Sequence, residues 1–410
     1  MKRRTACLLA GWLGSSMACS FARECAAPAE TSACPWLPPG TLYDNPDNPF
    51  IQKLSVFARV HYQYAWIDGE SGGHDFWYSN HGEIRRVWPG LHASLANGVL
   101  AAHYEAMLED DRHPSHGDRD LSYLANWALY LEWDLTKTFS LAGGNWWLGY
   151  GKRCLPLAEE VLDSSKFLPV VERTAISNRA LITTTGGSAP LGAWIRHQAG
   201  PWETFAGLYT TDSAAYWGNW DDGTAVVVET QRDISDLTGT DAAVAALAFY
   251  HTDTEGRDER LSGDLNWLAS AWAIVTEGPW TLRGNLLFGE ADSSNPLRDG
   301  RVWGVVGTLE RWLIQDRLEL VGRYHYQGSR SPQGIAPYAR YIGWAVAQEN
   351  APPAPSVRGD EQHGLYLGLN WLLCGHNLKL LTGAEWDHVS SDSTEVYDGL
   401  TYWMSMRMFF

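Results

Sequence analysis

The last eleven residues, LTYWMSMRMFF, place the strongest constraint on the fold of this 410-residue chain. Alternate side chains in this segment are apolar, whereas the intervening ones include Arg407 and two hydroxyl groups. A β-strand points successive side chains to opposite faces, and about ten residues suffice for a tilted strand to cross a hydrocarbon core. Such a strand cannot stand alone in lipid, because unpaired N–H and C=O groups there each cost several kcal/mol. The C-terminus therefore predicts a closed transmembrane β-barrel.

The composition agrees with a membrane barrel. The chain contains 22 tryptophans and 18 tyrosines, residue types that concentrate at the two membrane–water interfaces. No apolar run of roughly eighteen residues follows the N-terminal region, which argues against a helical membrane protein. The net charge of −17 argues against nucleic acid as a partner. The alternative is an aromatic-rich soluble β-protein, such as a carbohydrate-binding module.

The N-terminal region has a basic start, an apolar stretch and then small residues, a pattern typical of a secretory signal peptide. We assign residues 1–27 to this signal peptide, with cleavage between 22 and 27, and residues 28–52 to a Pro/Asn-rich periplasmic tether. Lipidation at Cys19 is the alternative, although the preceding residues make a poor lipobox. Only Cys154 and Cys374 of the six cysteines lie beyond this region, so we expect no disulfide framework.

Stretches that alternate between apolar and polar residues recur through the rest of the chain and predict sixteen strands. They lie near 54–68, 82–95, 98–109, 121–135, 139–152, 188–199, 202–212, 223–233, 241–253, 261–276, 280–291, 300–313, 317–328, 361–373, 377–390 and 400–410. Every second connection is short, and the others are longer and polar, as in outer-membrane barrels. We therefore predict an all-β fold over residues 53–410, a 16-stranded antiparallel transmembrane β-barrel with short periplasmic turns and long outer loops.

Strand alternation predicts six arginines on the inner face: Arg59, Arg86, Arg196, Arg283, Arg323 and Arg407. A charge is tolerated in a water-filled lumen but costs roughly 2–4 kcal/mol on the lipid face. Rings of arginine favour anions, and a guanidinium group binds phosphate through parallel hydrogen bonds. The same alternation places carboxylates inward, which weighs against an anion preference: Glu105, Glu132, Glu203, Asp264, Glu319, Glu385 and Asp387.

No motif for catalysis, nucleotide binding or zinc binding occurs in the sequence. We therefore expect no enzyme activity, no cofactor and no metal. The segment DDRHPSHGD places His113 and His116 among aspartates, where a divalent-ion site is conceivable; a solvated outer loop is the simpler interpretation.

The stretch GYGKRCLPLAEEVLDSSKFLPVVERTAISN resembles the phosphate- and pyrophosphate-selective porin O and P family, as do the arginine pair Arg85–Arg86 and the segment HGLYLGLNWLLCGHNLKLLTGAEW. The resemblance spans most of the mature chain. It implies a homotrimeric porin of the bacterial outer membrane whose third loop, about residues 153–187, folds into the pore. Arg59 and Arg86 match positions of anion-binding arginines in the family. The constriction would include Lys166, Glu172, Arg173 and Arg179.

The resemblance further implies passive diffusion of small hydrophilic solutes, with anions or phosphate preferred, through a barrel in contact with outer-membrane lipids. Small residues expected on the outer face suit flat subunit contacts and are equally compatible with lipid: Ala242, Val244, Ala246, Ala248, Ala269, Ala271 and Ala273. The alternative function is a structural or surface-adhesive barrel with a plugged lumen.

Overall fold

The computed structural model describes residues 40–109, 122–184, 187–212, 220, 223–253, 261, 264–293, 295–337, 339–343, 345–346 and 357–410. A short strand β1 (Thr41–Asp44) precedes the barrel. The barrel strands are β2 (Ile51–Ser71), β3 (His74–Leu95), β4 (Leu100–Glu109), β5 (Ser122–Asp134), β6 (Asn145–Lys152), β7 (Leu191–Ala199), β8 (Trp202–Thr210), β9 (Thr224–Asp233), β10 (Ala242–Thr252), β11 (Leu265–Glu277), β12 (Trp280–Ala291), β13 (Gly300–Ile314), β14 (Leu318–Ser329), β15 (Glu361–Leu372), β16 (Leu378–Ser391) and β17 (Thr394–Phe409). The short helices are α1 (Leu135–Phe139), α2 (Glu159–Leu162), α3 (Ala175–Ala180), α4 (Ser235–Thr238) and a π-helical turn at Ala339–Gly343. The predicted signal peptide and His113 and His116 lie outside the described residues.

The sheet closes on itself because β17 pairs with β2, from Tyr397 opposite Ser71 to Phe409 opposite Arg59. Every other barrel strand pairs antiparallel with the next strand along the chain. The predicted 16-stranded barrel is therefore confirmed, and β1 adds a short seventeenth strand beside the start of β2. Closure leaves the sixteen strands without a free edge, which lipid requires.

The two faces of the sheet differ as the C-terminal segment predicted. In β17, Arg407 and Ser405 are buried inside the barrel, whereas the side chain of Met404 on the other face is 57% exposed. Large apolar side chains are exposed on the outer face of many other strands: Leu131, Leu148, Ile195, Leu208, Val228, Leu247, Leu286, Val305 and Leu367. An apolar outer face around a charged interior is the arrangement of a barrel that spans a bilayer.

No helix among the described residues is long and apolar enough to cross a membrane.

Two outer connections are tight hairpins where we expected loops. Strands β2 and β3 meet at Gly72–Gly73, and β16 and β17 meet at Asp392–Ser393; all four residues have positive φ angles, as two-residue hairpins require. The predicted boundaries near residues 68, 82 and 400 are therefore wrong. In the added stretch His74–Ser79 (HDFWYS) apolar and polar side chains do not alternate, so the pattern gives no strand signal there.

The first six residues of the predicted strand 139–152 are not strand. Asp134 caps the short helix α1 by accepting a hydrogen bond from the Lys137 backbone N–H at 2.8 Å. Strand β6 then starts only at Asn145. Capping by Asp134 competes with extension of the sheet in this turn.

The predicted orientation of β10 is wrong. Ala246 and Ala248 are buried inside the barrel, opposite Trp272 and Ser270 of β11, whereas Leu247 is 62% exposed on the outer face. Both faces of this alanine-rich strand are apolar, so alternation alone does not distinguish inside from outside. On β11 the expected direction is correct, because Ala271 lies opposite the outward Leu247.

Two further residues differ from expectation. Asp264 precedes β11 and is exposed rather than directed inward from the strand. Cys374, in the turn between β15 and β16, is disulfide-bonded, although we expected no disulfide framework, whereas Cys154 is a free thiol.

Candidate functional site inside the barrel

The third outer loop, residues 153–190 between β6 and β7, folds into the lumen, as predicted. Its residues Leu157 and Ala158 have no exposed surface, and Leu155 and Val161 are almost as fully buried. They pack against inward side chains of the wall: Trp194, Phe205, Tyr209 and Tyr250. The loop therefore fills one side of the lumen with apolar contacts.

A second apolar cluster closes the other side. Leu168, Val170 and Val171 of the third loop pack with Tyr341 and Ile342 of the seventh outer loop, residues 330–360. The wall contributes Tyr366, Leu381 and Trp403. The two long loops thus narrow the barrel together, because each is packed against the wall and they share one cluster.

Arg407 fastens the third loop to the last strand. Its guanidinium group is fully buried and donates at 2.6–3.0 Å to four backbone carbonyl oxygens, those of Ser165, Leu168, Val170 and Val171. Lys379 adds a bond from its Nζ to the Leu168 carbonyl oxygen at 3.1 Å. Hydrogen bonds with a charged donor are about twice as strong as neutral ones. Arg407 therefore anchors the loop through its backbone.

Two other inward arginines hold carboxylates of the loop. Arg283 contacts Glu159 at 2.6 Å and also contacts Asp163 and the wall residue Glu310. Arg323 donates to Glu160 and to the wall residue Glu385, each at 2.7 Å. Each guanidinium group links the loop to the barrel wall, and its charge is matched by carboxylates.

A β-bulge explains how both members of the arginine pair reach the lumen. Arg86 lies opposite His61 and Ile84 lies opposite Tyr62, so Arg85 is the extra residue in β3. Such a bulge re-aims a side chain that regular alternation would direct outward. Arg85 Nε lies 2.8 Å from Glu172, and Arg86 Nη2 lies 3.9 Å from the same carboxylate.

Glu172 stays ionised in this arrangement. Burial raises its pKa, but the guanidinium groups of Arg85 and Arg86 outweigh burial and hold the pKa of Glu172 well below its usual range. Gln63 also donates a hydrogen bond to this carboxylate at 2.8 Å.

We expect this anchor of the third loop to survive mild acid. The pKa of Glu172 is lower in the folded protein than its ordinary value of about 4.3. The stabilisation is therefore present above the ordinary pKa and is lost only as the pH falls through the depressed one. Ion current through bilayer-reconstituted protein, compared at pH 7 and at about pH 3.5, where an ordinary glutamate is mostly protonated, should show no release of the loop. A Glu172→Gln control removes the charge at both pH values, and a pH-dependent rise in current in the wild type but not in this variant would contradict the assignment.

Arg59 and Arg196 are likewise paired. Arg59 Nη2 lies 2.6 Å from Glu105, and Arg59 Nη1 lies 3.3 Å from Ser165 Oγ in the third loop. Arg196 bonds Glu132 at 2.9 Å and Glu203 at 3.2 Å. All six arginines expected on the inner face do face the lumen, and each has a carboxylate or carbonyl partner.

Two basic residues of the third loop bind backbone carbonyl oxygens of the outer loops. Arg173 donates to the backbone carbonyl oxygens of Glu160 and Asp163. Arg179 donates to the Gly334 carbonyl oxygen at 2.7 Å, which joins the third loop to the seventh. Burial lowers the pKa of Arg179 to about 10. Lys166 lies 5.4 Å above the ring of Phe167.

Sequence reasoning missed Glu159, Glu310 and Lys379 as members of this network. Strand alternation could have placed Glu310 and Lys379 on the inner face, and the acidic run AEEVLD could have indicated Glu159. Only the path of the loop shows that Glu159 meets Arg283 and that Lys379 binds the Leu168 carbonyl oxygen.

A cavity of about 250 Å³ lies between the third loop and the periplasmic ends of β7–β11. Its polar lining includes Glu159, Asp163, Glu203, Gln231 and Asp233. Of the described residues that line it, none is lysine, arginine or histidine. Water and small solutes that reach this cavity therefore meet carboxylates.

The barrel is similar to several solved structures of outer-membrane porins. It matches the outer membrane channel DcaP of Acinetobacter baumannii with a TM-score of 0.53 at 12% identity, covering 87% of this chain and 97% of that one. It matches the anion-selective porin from Comamonas acidovorans with a TM-score of 0.55 at 12% identity, covering 87% and 99%. OprB of Pseudomonas putida gives a TM-score of 0.54 at 10% identity, with 86% and 94% covered.

Fold and outer surface together define the class: the chain is an integral β-barrel of the bacterial outer membrane, with the fold of a porin. The identities to the solved porins are too low to show more than this fold. No protein-family model and no curated relative matches the sequence.

Proposed function

We propose that the protein is a porin through which small hydrophilic solutes diffuse passively, with a lumen narrowed by its third loop. The observation that carries this proposal is the charged inner wall. Arginines and carboxylates extend over strands on all sides of the barrel and around the loop, whereas the outer face is apolar. Selectivity in such a channel follows from pore width and from fixed charges along the path. No bond is made or broken, and we propose no enzyme activity.

The test is ion current across planar bilayers that contain the purified full-length protein. Discrete conductance steps are expected, and heat-denatured protein serves as the control. The second candidate function, a plugged structural or adhesive barrel, is favoured by the two apolar clusters that pack the third loop against the wall. Absence of any ion current from folded protein would favour that candidate and exclude passive diffusion.

The finer hypothesis is that of an anion- or phosphate-preferring member of the porin O and P family. Its supports are the resemblance in the third loop and the pair Arg85–Arg86. The pairing of Arg59 with Glu105, and of Arg85 and Arg86 with Glu172, argues against it, because a neutralised guanidinium attracts anions less.

Replacement of Arg59 and Arg86 by alanine tests this preference. If these groups attract anions, the double variant lowers the anion-to-cation permeability ratio, which is measured as the reversal potential in a salt gradient. An Arg301→Ala variant is the matched control, because Arg301 is exposed on β13. An unchanged ratio in the double variant would remove both residues from the selectivity mechanism.

We also propose that residues 1–27 are removed as a signal peptide, that the tether predicted at residues 28–52 is periplasmic and ends at Phe50, because β2 begins at Ile51, and that the mature protein is a homotrimer. Outward Ala273, Gly284 and Gly307 lie side by side on β11–β13 and support a close subunit contact. N-terminal sequencing and mass measurement in detergent test these three points. A monomer in detergent and in native membranes would contradict the trimer.

A further inference from the structure

A cluster of three inward side chains lies between the third and seventh loops and the wall, and we propose that it binds a divalent transition-metal ion. The residues are His325 of β14 and Glu385 and Asp387 of β16. One ligand atom from each lies within 4.8 Å of the other two. The proposal does not depend on the diffusion function, because it concerns a separate enclosed site.

His325 is the observation that points to a ligand. His325 is 2% exposed, and neither of its ring nitrogens has a hydrogen-bond partner among the described residues. Nε2 lies 3.5 Å from Asp387 Oδ1, and Nδ1 lies 3.8 Å from Glu385 Oε1. A buried imidazole that makes no hydrogen bond loses the full solvation of its polar atoms. A cation bound between the imidazole and the carboxylates would compensate for this lost solvation.

Gly364 allows this arrangement. Gly364 is on β15, which lies between β14 and β16. It is paired with His325 of β14 on one side and with Asp387 of β16 on the other. A Cβ atom at this position would lie 2.0 Å from His325 Cε1. The imidazole ring therefore lies across the glycine and reaches toward β16, which any side chain at residue 364 would prevent.

The pairing of charges around the cluster favours the binding of a cation. Glu385 Oε1 accepts a bond from Arg323 at 2.7 Å, and Asp387 Oδ1 accepts one from the Gln362 side-chain amide at 2.7 Å. Among the described residues, Asp387 has no lysine or arginine partner. A buried carboxylate without a compensating charge is strongly destabilising. A cation bound beside Asp387 would supply that compensating charge.

The cavity beside these three side chains is large enough for a single ion or water molecule. A cavity of about 20 Å³ adjoins His325, Glu385 and Asp387, and Glu172, Arg173 and Tyr341 of the two loops also line it. A cavity of about this size holds a single water or ion. One imidazole nitrogen with carboxylate oxygens is a donor set for Zn²⁺ and similar transition metals, whereas Ca²⁺ and Mg²⁺ prefer oxygen alone.

The test measures Zn²⁺ bound to the full-length protein in detergent, after removal of metal with a chelator, reloading and desalting. One equivalent per chain that is lost in His325→Ala and in Asp387→Asn supports the site. Gly364→Ala displaces the ring without removing a ligand and should weaken binding about 10- to 100-fold, as supporting residues do. The visible spectrum of the Co²⁺-loaded protein provides a second readout, and circular dichroism confirms that each variant folds.

The matched control is His388→Ala. His388 lies on β16 next to Asp387 and forms a group with Glu395 and Asp398 of β17, but that group is on the more exposed outer face. Zn²⁺ content equal to wild type in His325→Ala, or no binding by the wild type, overturns the proposal. An additional equivalent that disappears only in His388→Ala belongs to the outer group, and retention of the His325-dependent equivalent in that variant supports the inner site.

Discussion

Replacement of Arg407 by methionine should release the third loop and increase ion current through the barrel. The variant keeps a long apolar side chain but removes the guanidinium group, so the carbonyl oxygens of Ser165, Leu168, Val170 and Val171 lose their shared donor. Each buried carbonyl oxygen that is left without a donor costs about 1–3 kcal/mol. The measurement is single-channel conductance of bilayer-reconstituted protein, together with the rate of proteolysis within residues 153–190.

Arg301→Met is the control, because the same change at an exposed residue of β13 leaves the loop anchored. If Arg407→Met leaves both the conductance and the protease resistance of the loop at wild-type values, Arg407 does not hold the loop. If the loop becomes sensitive to protease while no current flows, the loop is anchored as described but the lumen is closed elsewhere.

Replacement of Arg283 by methionine should destabilise the protein by about 3–5 kcal/mol, because it leaves Glu159, Asp163 and Glu310 as buried carboxylates without their shared cation. Repulsion among these groups would push the loop from the wall at α2. We expect a lower unfolding temperature, followed by circular dichroism in detergent, and a shift of the reversal potential toward cation selectivity.

A rescue variant separates charge from packing. Adding Glu159→Gln and Asp163→Asn to Arg283→Met removes two of the stranded charges at nearly constant volume, so most of the lost stability should return. A triple variant no more stable than Arg283→Met would show that packing by the arginine side chain, rather than its charge, supports the loop.

Much of the fold was predictable because the bilayer imposes alternation on every spanning strand. The alternation in the segment from Leu400 to Phe409 is reproduced residue by residue in the structure. It was not predictive where both faces have the same character. The alanine-rich β10 is apolar on both faces, and the β2–β3 hairpin has three consecutive aromatic residues, Phe76, Trp77 and Tyr78, so neither segment alternates.

The candidate site was predictable only in part. The inward direction of Arg323 and Arg407 follows from the high cost of a charge in lipid. The partners of these residues do not follow from any local pattern, because Arg323 and Glu160 are separated by 163 residues. Arg85 shows a second limit, since a single bulge reverses the direction that alternation assigns.

The attachment of the third loop to the final strand has a consequence for biogenesis. Arg407 and the Ser165 carbonyl oxygen that it binds are 242 residues apart, and β17 also supplies the seam with β2. Contacts between such distant parts of a chain form slowly and late. The third loop therefore gains its Arg407 anchor only after the last strand has been inserted, and a precursor that lacks β17 holds the loop by its earlier contacts alone.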